Sequence, residues 1–401
     1  MGRATIDFGI DLGTTNSVIA VVNGNSAKEF IDTHEGSPLL PSAVWIDRQD
    51  VLHVGSKAKQ RLVEDPDNAV ATFKRKMGTD YAHQFPRSGR KLLPEELSAE
   101  VLKILRSRAQ EKTQESIESA VITVPAGFMM SANDATRKAA EIAGFKTVYL
   151  LQEPVAAAFA YGFQSTSQKK YWLVYDFGGG TFDAAIVSIR DGLIQVVEHS
   201  GDNQLGGTDI DWDIVAKHFF PKINAELGAD SISRSAKTVE ERKIIGLLKR
   251  EAEDAKISVS RTGKTYKGGV EFIWKGEERT FDYSLSPAEL DLIVQPWAKR
   301  SITLCQSALK ARGLSGQEIE RVLMVGGSSL LPSVREAVIR DINPRIDFSI
   351  DPMLVVAYGA AIFAGQQVNA PGEGNQQKQK GIYLLQMQMQ FVQLLEQHKQ
   401  K

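Results

Sequence analysis

Asp176-Phe177-Gly178-Gly179-Gly180-Thr181 is an aspartate followed by a turn of small residues, and Asp11-Leu12-Gly13-Thr14-Thr15-Asn16 has the same construction. Each stretch follows a short apolar run (6–10; 172–175) and precedes another (18–22; 184–189). Each therefore reads as a strand, an aspartate at the strand end, a turn and a returning strand. Two such hairpins predict two similar lobes facing one another, each presenting a carboxylate and free backbone N–H groups. That arrangement suits a nucleotide triphosphate and its magnesium ion.

Magnesium prefers octahedral oxygen coordination and keeps several waters, so Asp11 and Asp176 beside a phosphate chain suffice to hold it through water. Glycine lets the backbone approach phosphate without a Cβ clash, and the amides of 13–15 and 178–181 can cup an anion. Thr14, Thr15 and Thr181 add hydroxyl donors. Neither turn is a P-loop, because the Gly-x-x-x-x-Gly-Lys-Ser/Thr string is absent. One turn alone would pass for an ordinary hairpin; two, each behind a strand-end aspartate, point to a site.

The chain of 401 residues has room for two or three domains. A formal net charge of -1 argues against a nucleic-acid binder with a basic face. The one cysteine, Cys305, excludes an internal disulfide and a cysteine-based zinc site, and the histidines form no metal-ligand spacing. No apolar run approaches the ~20 residues of a membrane span, and residues 1–5 lead into a strand without a signal-peptide core. A cytoplasmic monomer with neither nucleic acid nor membrane as partner is the expectation.

Along the chain the patterns predict strands over 5–10, 17–22 and 43–47, then helical stretches over 57–63 and 69–76. A helix over 94–112, a strand over 119–124, a helix over 132–143 and a strand over 147–151 follow. A helix over 154–161 carries Pro154 in its first turn. The second half opens with a meander over 172–176, 182–189 and 193–199, and Gly206-Gly207 breaks the chain before a helix over 209–227. Thr238 and Glu241 form a capping box for a long helix to about 256. Strands over 270–274 and 279–284, a helix from Ser286, a strand over 321–325 and a small-residue helix over 355–366 complete the order. The stretch 367–401 is rich in Gln and expected to be loosely ordered; 385–391 alternates like a strand, while Leu384, Met387, Phe391 and Leu395 fit a helix stripe.

In this order the motifs resemble the nucleotide-binding domain of the 70-kDa heat-shock chaperones (DnaK-type), members of the actin-like ATPase superfamily. Residues 10–17 and 174–183 are similar to that family's two phosphate motifs. Glu153-Pro154-Val155-Ala156-Ala157-Ala158 is similar to its connecting helix, Val325-Gly326-Gly327-Ser328-Ser329 to its adenosine motif, and Ala357-Tyr358-Gly359-Ala360-Ala361 to its last helix. The resemblance spans 5 to about 366. It implies an α/β, ribonuclease H-like fold of two lobes, each a mixed five-stranded sheet with helices, around a central nucleotide cleft. Lobe I would hold 1–165 and 347–366, with a rim subdomain near 39–94. Lobe II would hold 166–346, with a rim near 206–291.

The resemblance further implies hydrolysis of ATP to ADP and phosphate with Mg2+, K+ as an admissible second ion, and closure of the lobes. Lys74 would place the attacking water and Glu153 would sit near the metal-bound waters. Asp183 would complete an acidic cluster with Asp11 and Asp176, beside Thr181. Gly13, Thr14, Thr15, Asn16, Gly178, Gly179 and Gly180 would hold phosphates, and Gly206 and Gly207 would also contact the nucleotide. Glu253, Lys256 and Ser260 share one helix face by spacing, and with Gly326, Gly327, Ser328 and Leu330 they would hold adenosine. Without the resemblance, Lys74 is a solvated lysine and Glu253 with Lys256 a surface ion pair.

Some positions depart from the family. Leu330 stands where an arginine stacks on adenine, so a cation–π contribution is missing. Met353 stands in place of an acidic residue near the base. Gly127 and Asn133 replace a tyrosine and an arginine of an interdomain relay, and Tyr149 replaces an arginine that docks J-domain proteins in bacterial members. J-domain proteins and a nucleotide-exchange factor are the partners the family implies. The residues after 366 lack the family's acidic, leucine-rich linker and the length of its peptide-binding sandwich, so a motor without its client-binding half is expected. A non-catalytic nucleotide sensor and an actin-like filament ATPase are the competing readings. A sugar kinase is disfavoured, because no second substrate pocket is recognisable.

Overall fold

The first hairpin begins with β1 (Phe8–Asp11), which ends on its aspartate, and β2 (Asn16–Asn23) returns antiparallel with Asp11 opposite Val18. β3 (Ser26–Glu29) continues the meander and β4 (Leu40–Pro41) pairs with the start of β2. This computed structural model describes residues 3–23, 26–30, 32, 36–162, 170–191, 193–228, 232–235 and 238–368. The expected lobe boundary at 165/166 and the tail beyond 368, with its strand-or-helix stretch, lie outside the described residues.

From β4 the chain leaves the sheet to build a rim. β5 (Ala43–Ile46) lies between β6 (Leu52–Val54) and β7 (Ala69–Ala71), with α1 (Ser56–Glu64) packed on them. The expected helix over 69–76 is instead β7 followed by a 3₁₀ turn, Phe73–Lys76. The break is Thr72, held left-handed at φ 58, which no helix interior accepts. A short ribbon, β8 (His83–Gln84) and β9 (Lys91–Leu92), leads to α2 (Pro94–Thr113). β10 (Ser119–Val124) then lies parallel to β1, and α3 (Met130–Ile142) carries the chain to β11 (Thr147–Gln152), parallel to β10. α4 (Glu153–Ala160) closes this half.

The second half repeats the plan. β12 (Lys170–Phe177), β13 (Phe182–Arg190) and β14 (Leu193–Asp202) form an antiparallel meander. The rim follows: α5 (Gly207–Ile214), a π-helical turn Val215–Phe219, α6 (Phe220–Leu227), α7 (Val239–Thr262), and the hairpin of β15 (Tyr266–Trp274) with β16 (Glu277–Leu285). The single helix expected over 209–227 is thus two helices around a π turn. α8 (Pro287–Ala311) returns to the lobe, β17 (Ile319–Val325) lies parallel to β12, and α9 (Pro332–Asp341), β18 (Ile346–Asp347) and α10 (Val355–Ala364) complete it.

The two main sheets run β3-β2-β1-β10-β11 and β14-β13-β12-β17-β18, with β4 a sixth strand beside β2 in the first. The five-stranded expectation therefore holds for the second sheet, and the first adds one short strand. Matched strand for strand, the two sheets place Asp11 and Asp176 at equivalent ends, and α4 and α10 follow equivalent strands. Each lobe buries its own core, one including Ile10, Ile19, Leu102 and Ile122, the other Tyr175, Phe177, Phe182 and Leu248. A third cluster includes Ala156, Ala157, Trp172, Val174 and Ala360, and so lies between the lobes.

That joint depends on small residues. α4 and α10 cross so closely that a Cβ on Gly359 would stand 1.6 Å from the Ala156 carbonyl oxygen, and one on Gly9 2.1 Å from the Ala361 nitrogen. Among the described residues no helix is long and apolar enough to cross a membrane.

Candidate functional site

The ends of β1 and β12, the 3₁₀ turn 73–76 and the start of α4 converge on one charged cluster. Lys74 is buried (6% exposed) because the turn that follows left-handed Thr72 points it inward. Its ammonium lies 2.7 Å from a Glu153 carboxylate oxygen and over the Phe128 ring at 5.7 Å. Glu153 occupies the first turn of α4, ahead of Pro154, where the helix dipole favours a negative charge. Asp183 does not share a strand with Asp176. It is its direct cross-strand partner on β13, which puts both carboxylates on one face.

The charges do not balance. Burial first, then the Glu153 charge, pushes the Asp11 carboxyl up to about 7, while Lys74 and a hydrogen bond from Thr123 pull it back. Asp183 is likewise pushed up to about 7 by burial and Glu153. Asp176 is raised well above the usual range by burial and by Glu153, Asp183 and Asp11. Burial alone would lower Lys74, yet Glu153 and Asp11 hold its ammonium above the ordinary value. The cluster therefore has more carboxylates than its one lysine can neutralise, a condition that favours a bound cation.

Above the carboxylates the two glycine turns nearly touch. A Cβ on Gly179 would lie 2.4 Å from the Thr15 hydroxyl, and one on Gly180 2.6 Å from the Thr14 methyl. The Thr15 Oγ1 is buried without a hydrogen-bond partner. These turns enclose a pocket of about 110 Å³ lined by Asp11, Gly13, Thr14, Thr15, Asn16, Lys74, Glu153, Asp176, Gly178, Gly179, Gly180, Thr181, Gly326 and Gly327. Phosphate and a hydrated cation fit this donor set: an unpaired hydroxyl, a cradle that any Cβ would fill, and surplus carboxylate. Among the described residues no three His, Cys, Asp or Glu gather into a self-sufficient metal site. A cation here would share its shell with water and phosphate.

Several expected contact residues are already tied into the structure around the turns. The Gly207 N–H donates to the Gly178 carbonyl at 3.0 Å and the Thr208 N–H to Gly179 at 2.8 Å, while the Ser328 hydroxyl donates to Gly178 at 2.9 Å. Gly206 allows the close approach, since a Cβ there would lie 2.6 Å from the Gly179 oxygen. Lys256 is buried and committed, 2.6 Å from Asp211 and 3.0 Å from the Gly207 carbonyl. Ser260 donates to the Lys256 carbonyl. Glu253 reaches across the cleft to Lys59 at 2.9 Å. Leu330 is exposed, and Met353 packs where a Cβ on Gly327 would meet its sulfur at 3.7 Å.

Sequence reasoning missed Arg75. Its guanidinium donates to the Gly180 carbonyl and lies 3.5 Å from Asp209 at the start of α5, so it ties the first lobe to the second lobe's turn. Its Nε is buried without a partner. The position beside Lys74 was the only available signal. Thr123, Asp211 and Lys59 were also missed, since each acts on a partner distant in sequence, between strands, between helices of one rim or across the cleft.

A family model described as Hsp70 protein matches residues 7–388. That family has the actin-like ATPase fold, and its members are ATPases that act as chaperones.

Proposed function

The chain belongs to the Hsp70 family, and from that premise we propose that it is a magnesium-dependent ATPase whose reaction drives closure of its two lobes. The observation that carries this reading is the buried cluster of Asp11, Asp176, Asp183 and Glu153 around Lys74, set beneath two phosphate-sized glycine turns.

Asp11 and Asp176 would hold the magnesium through water, and the ion would neutralise charge on the phosphate oxygens. The amides of Gly13–Thr15 and Gly178–Thr181 orient the phosphate chain, and the threonine hydroxyls give it donors. Lys74 and Glu153 position a water for attack on the terminal phosphorus as its bond to the ADP oxygen breaks. Asp183, with a carboxyl near 7, is matched to take up the released proton. Arg75 reports across the cleft, because any change at Gly180 pulls directly on it.

The rims support closure as the mechanical output. Lys59 with Glu253 and Arg242 with Asp67 bridge them, and a Cβ on Gly246 would lie 3.0 Å from Val63. Family co-chaperones belong to the same proposal, with Tyr149 altering their docking surface and Gly127 and Asn133 altering the interdomain relay.

A non-hydrolysing sensor is the second reading, favoured by Leu330 and Met353 at the base end. ATP turnover in the native chain and in Lys74→Ala separates the two. Turnover above background that the substitution lowers at least a hundredfold is expected; equal background rates in both would refute hydrolysis.

A further inference from the structure

The cleft contains a second cavity, of about 760 Å³, that shares only Thr15 with the phosphate pocket. It lies at the mouth, between α1 of one rim and α5 and α7 of the other. Of the residues that the family resemblance implies for adenosine, Glu253 lines it, while Lys256, Ser260, Ser328 and Leu330 do not, so it borders that face without coinciding with it. Much of its wall is apolar: Leu62, Val63, Pro66, Ala71 and Ile245.

Most charged groups on this wall already have partners. Lys59 holds Glu253, Lys256 holds Asp211, Arg242 faces Asp67, and Arg250 faces Glu251. Lys249 and Arg234 are different. Both lie over the Trp212 ring, at 5.3 and 4.7 Å, and among the described residues neither has an ion pair or hydrogen bond. Burial pulls the Lys249 ammonium below its ordinary value despite the nearby Asp211 and Glu253 charges. Among the described residues Asp254 is the one wall carboxylate without an ion pair, and burial with the neighbouring Glu253 and Glu251 raises it. The cavity thus combines an apolar body, an aromatic face and two cations that no carboxylate touches directly, although Asp211, Glu253 and Asp209 lie near Lys249.

We propose that this cavity binds an organic anion with an apolar body, its charged group held by Lys249 and Arg234 beside Trp212 and its body against α1. Bringing a partly desolvated cation into contact with an anion is where a charge-assisted bond is strongest, and the apolar wall adds burial energy. The site meets the proposed nucleotide site only at Thr15 and Glu253, and Lys249, Arg234 and Trp212 belong to this cavity alone.

Anilinonaphthalene sulfonate is a suitable probe, with its uncharged parent anilinonaphthalene as control, titrated into the full chain by fluorescence with and without ADP and magnesium. Saturable binding of one probe per chain is expected, retained with ADP present and about tenfold weaker for the uncharged parent. Lys249→Met should weaken the sulfonate about tenfold and Lys249→Arg should restore it. Arg234→Gln, at an exposed position, gives an independent loss. ADP affinity, measured separately by calorimetry, should be the same in all three variants. Unsaturable binding, equal sulfonate affinity in Lys249→Met and Arg234→Gln, or stoichiometric displacement by ADP would each overturn the assignment.

Discussion

Lys74 and Glu153 form a buried ion pair, 2.7 Å between Nζ and Oε1, that ties the 3₁₀ turn below the first rim to the helix crossing between the lobes. Removing Lys74 strands several buried carboxylates without their counter-charge, whereas removing Glu153 leaves the lysine still facing Asp11 and Asp176. Lys74→Met should therefore cost about 3 kcal/mol, Glu153→Gln clearly less, and the double variant should recover part of the Lys74→Met loss while remaining inactive. Urea unfolding of the four proteins checks this; additive losses would show that the two groups act independently.

Asp183 makes stability depend on pH in a stated direction. Its carboxyl is near 7 in the folded protein, against about 3.9 when unfolded. The unfolded chain loses this proton first as pH rises, so Asp183 destabilises the nucleotide-free fold fully above about pH 7 and not at all below about pH 4. Asp183→Asn should be more stable than the native protein at about pH 8, on the order of 2–4 kcal/mol. The advantage should shrink steadily on acidification. Melts in chelator at several pH values test it, and a difference that is constant with pH would reject the raised carboxyl.

Across the rims, Lys59 and Glu253 are both partly exposed, and pairs of that kind contribute roughly 0.2–1 kcal/mol. Lys59→Ala should speed release of ADP by about two- to fivefold, with little change in melting temperature. High salt should speed the native protein and leave the variant nearly unaffected. Stopped-flow release of a fluorescent ADP gives the answer, and unchanged rates would mean that the pair does not restrain the mouth.

Gly359→Ala should be the most damaging one-carbon change among those considered. Its Cβ would stand 1.6 Å from a backbone oxygen, an overlap no rotamer relieves, so α4 and α10 must separate. A loss of about 3 kcal/mol or more is expected. Because the crossing joins the lobes, a cooperative denaturation curve should broaden into two steps. A sharp single transition at the native midpoint would contradict the close crossing.

Much of this architecture is legible in the chain because its signals are local. The strand-end aspartates, the glycine turns and the Thr238 and Ser286 capping boxes all lie within a few residues of what they specify. What escaped depends on distant partners or on backbone strain. The stretch 69–76 looks helical, since only the left-handed Thr72 separates a paired strand from the turn that buries Lys74. Nothing local shows that the Gly207 N–H is given to the Gly178 carbonyl, which lies 29 positions earlier in the chain. Helical spacing placed Glu253, Lys256 and Ser260 on one face but could not show that Asp211, on another helix, takes Lys256. Arg75 had no pattern at all, because its partners Gly180 and Asp209 belong to the other lobe.

The close seat of α10 against β1 sets the order in which the molecule can be made. Synthesis delivers β1 first, yet the surface that covers it, around Ala361 on α10, emerges only near the end of the described chain. The second lobe, contiguous from β12 to β18, meets its own partners sooner. A ribosome-bound nascent chain would therefore complete its later half first, and its earlier half would wait with an apolar sheet face open. The newborn protein is itself, for that interval, a candidate for chaperone care.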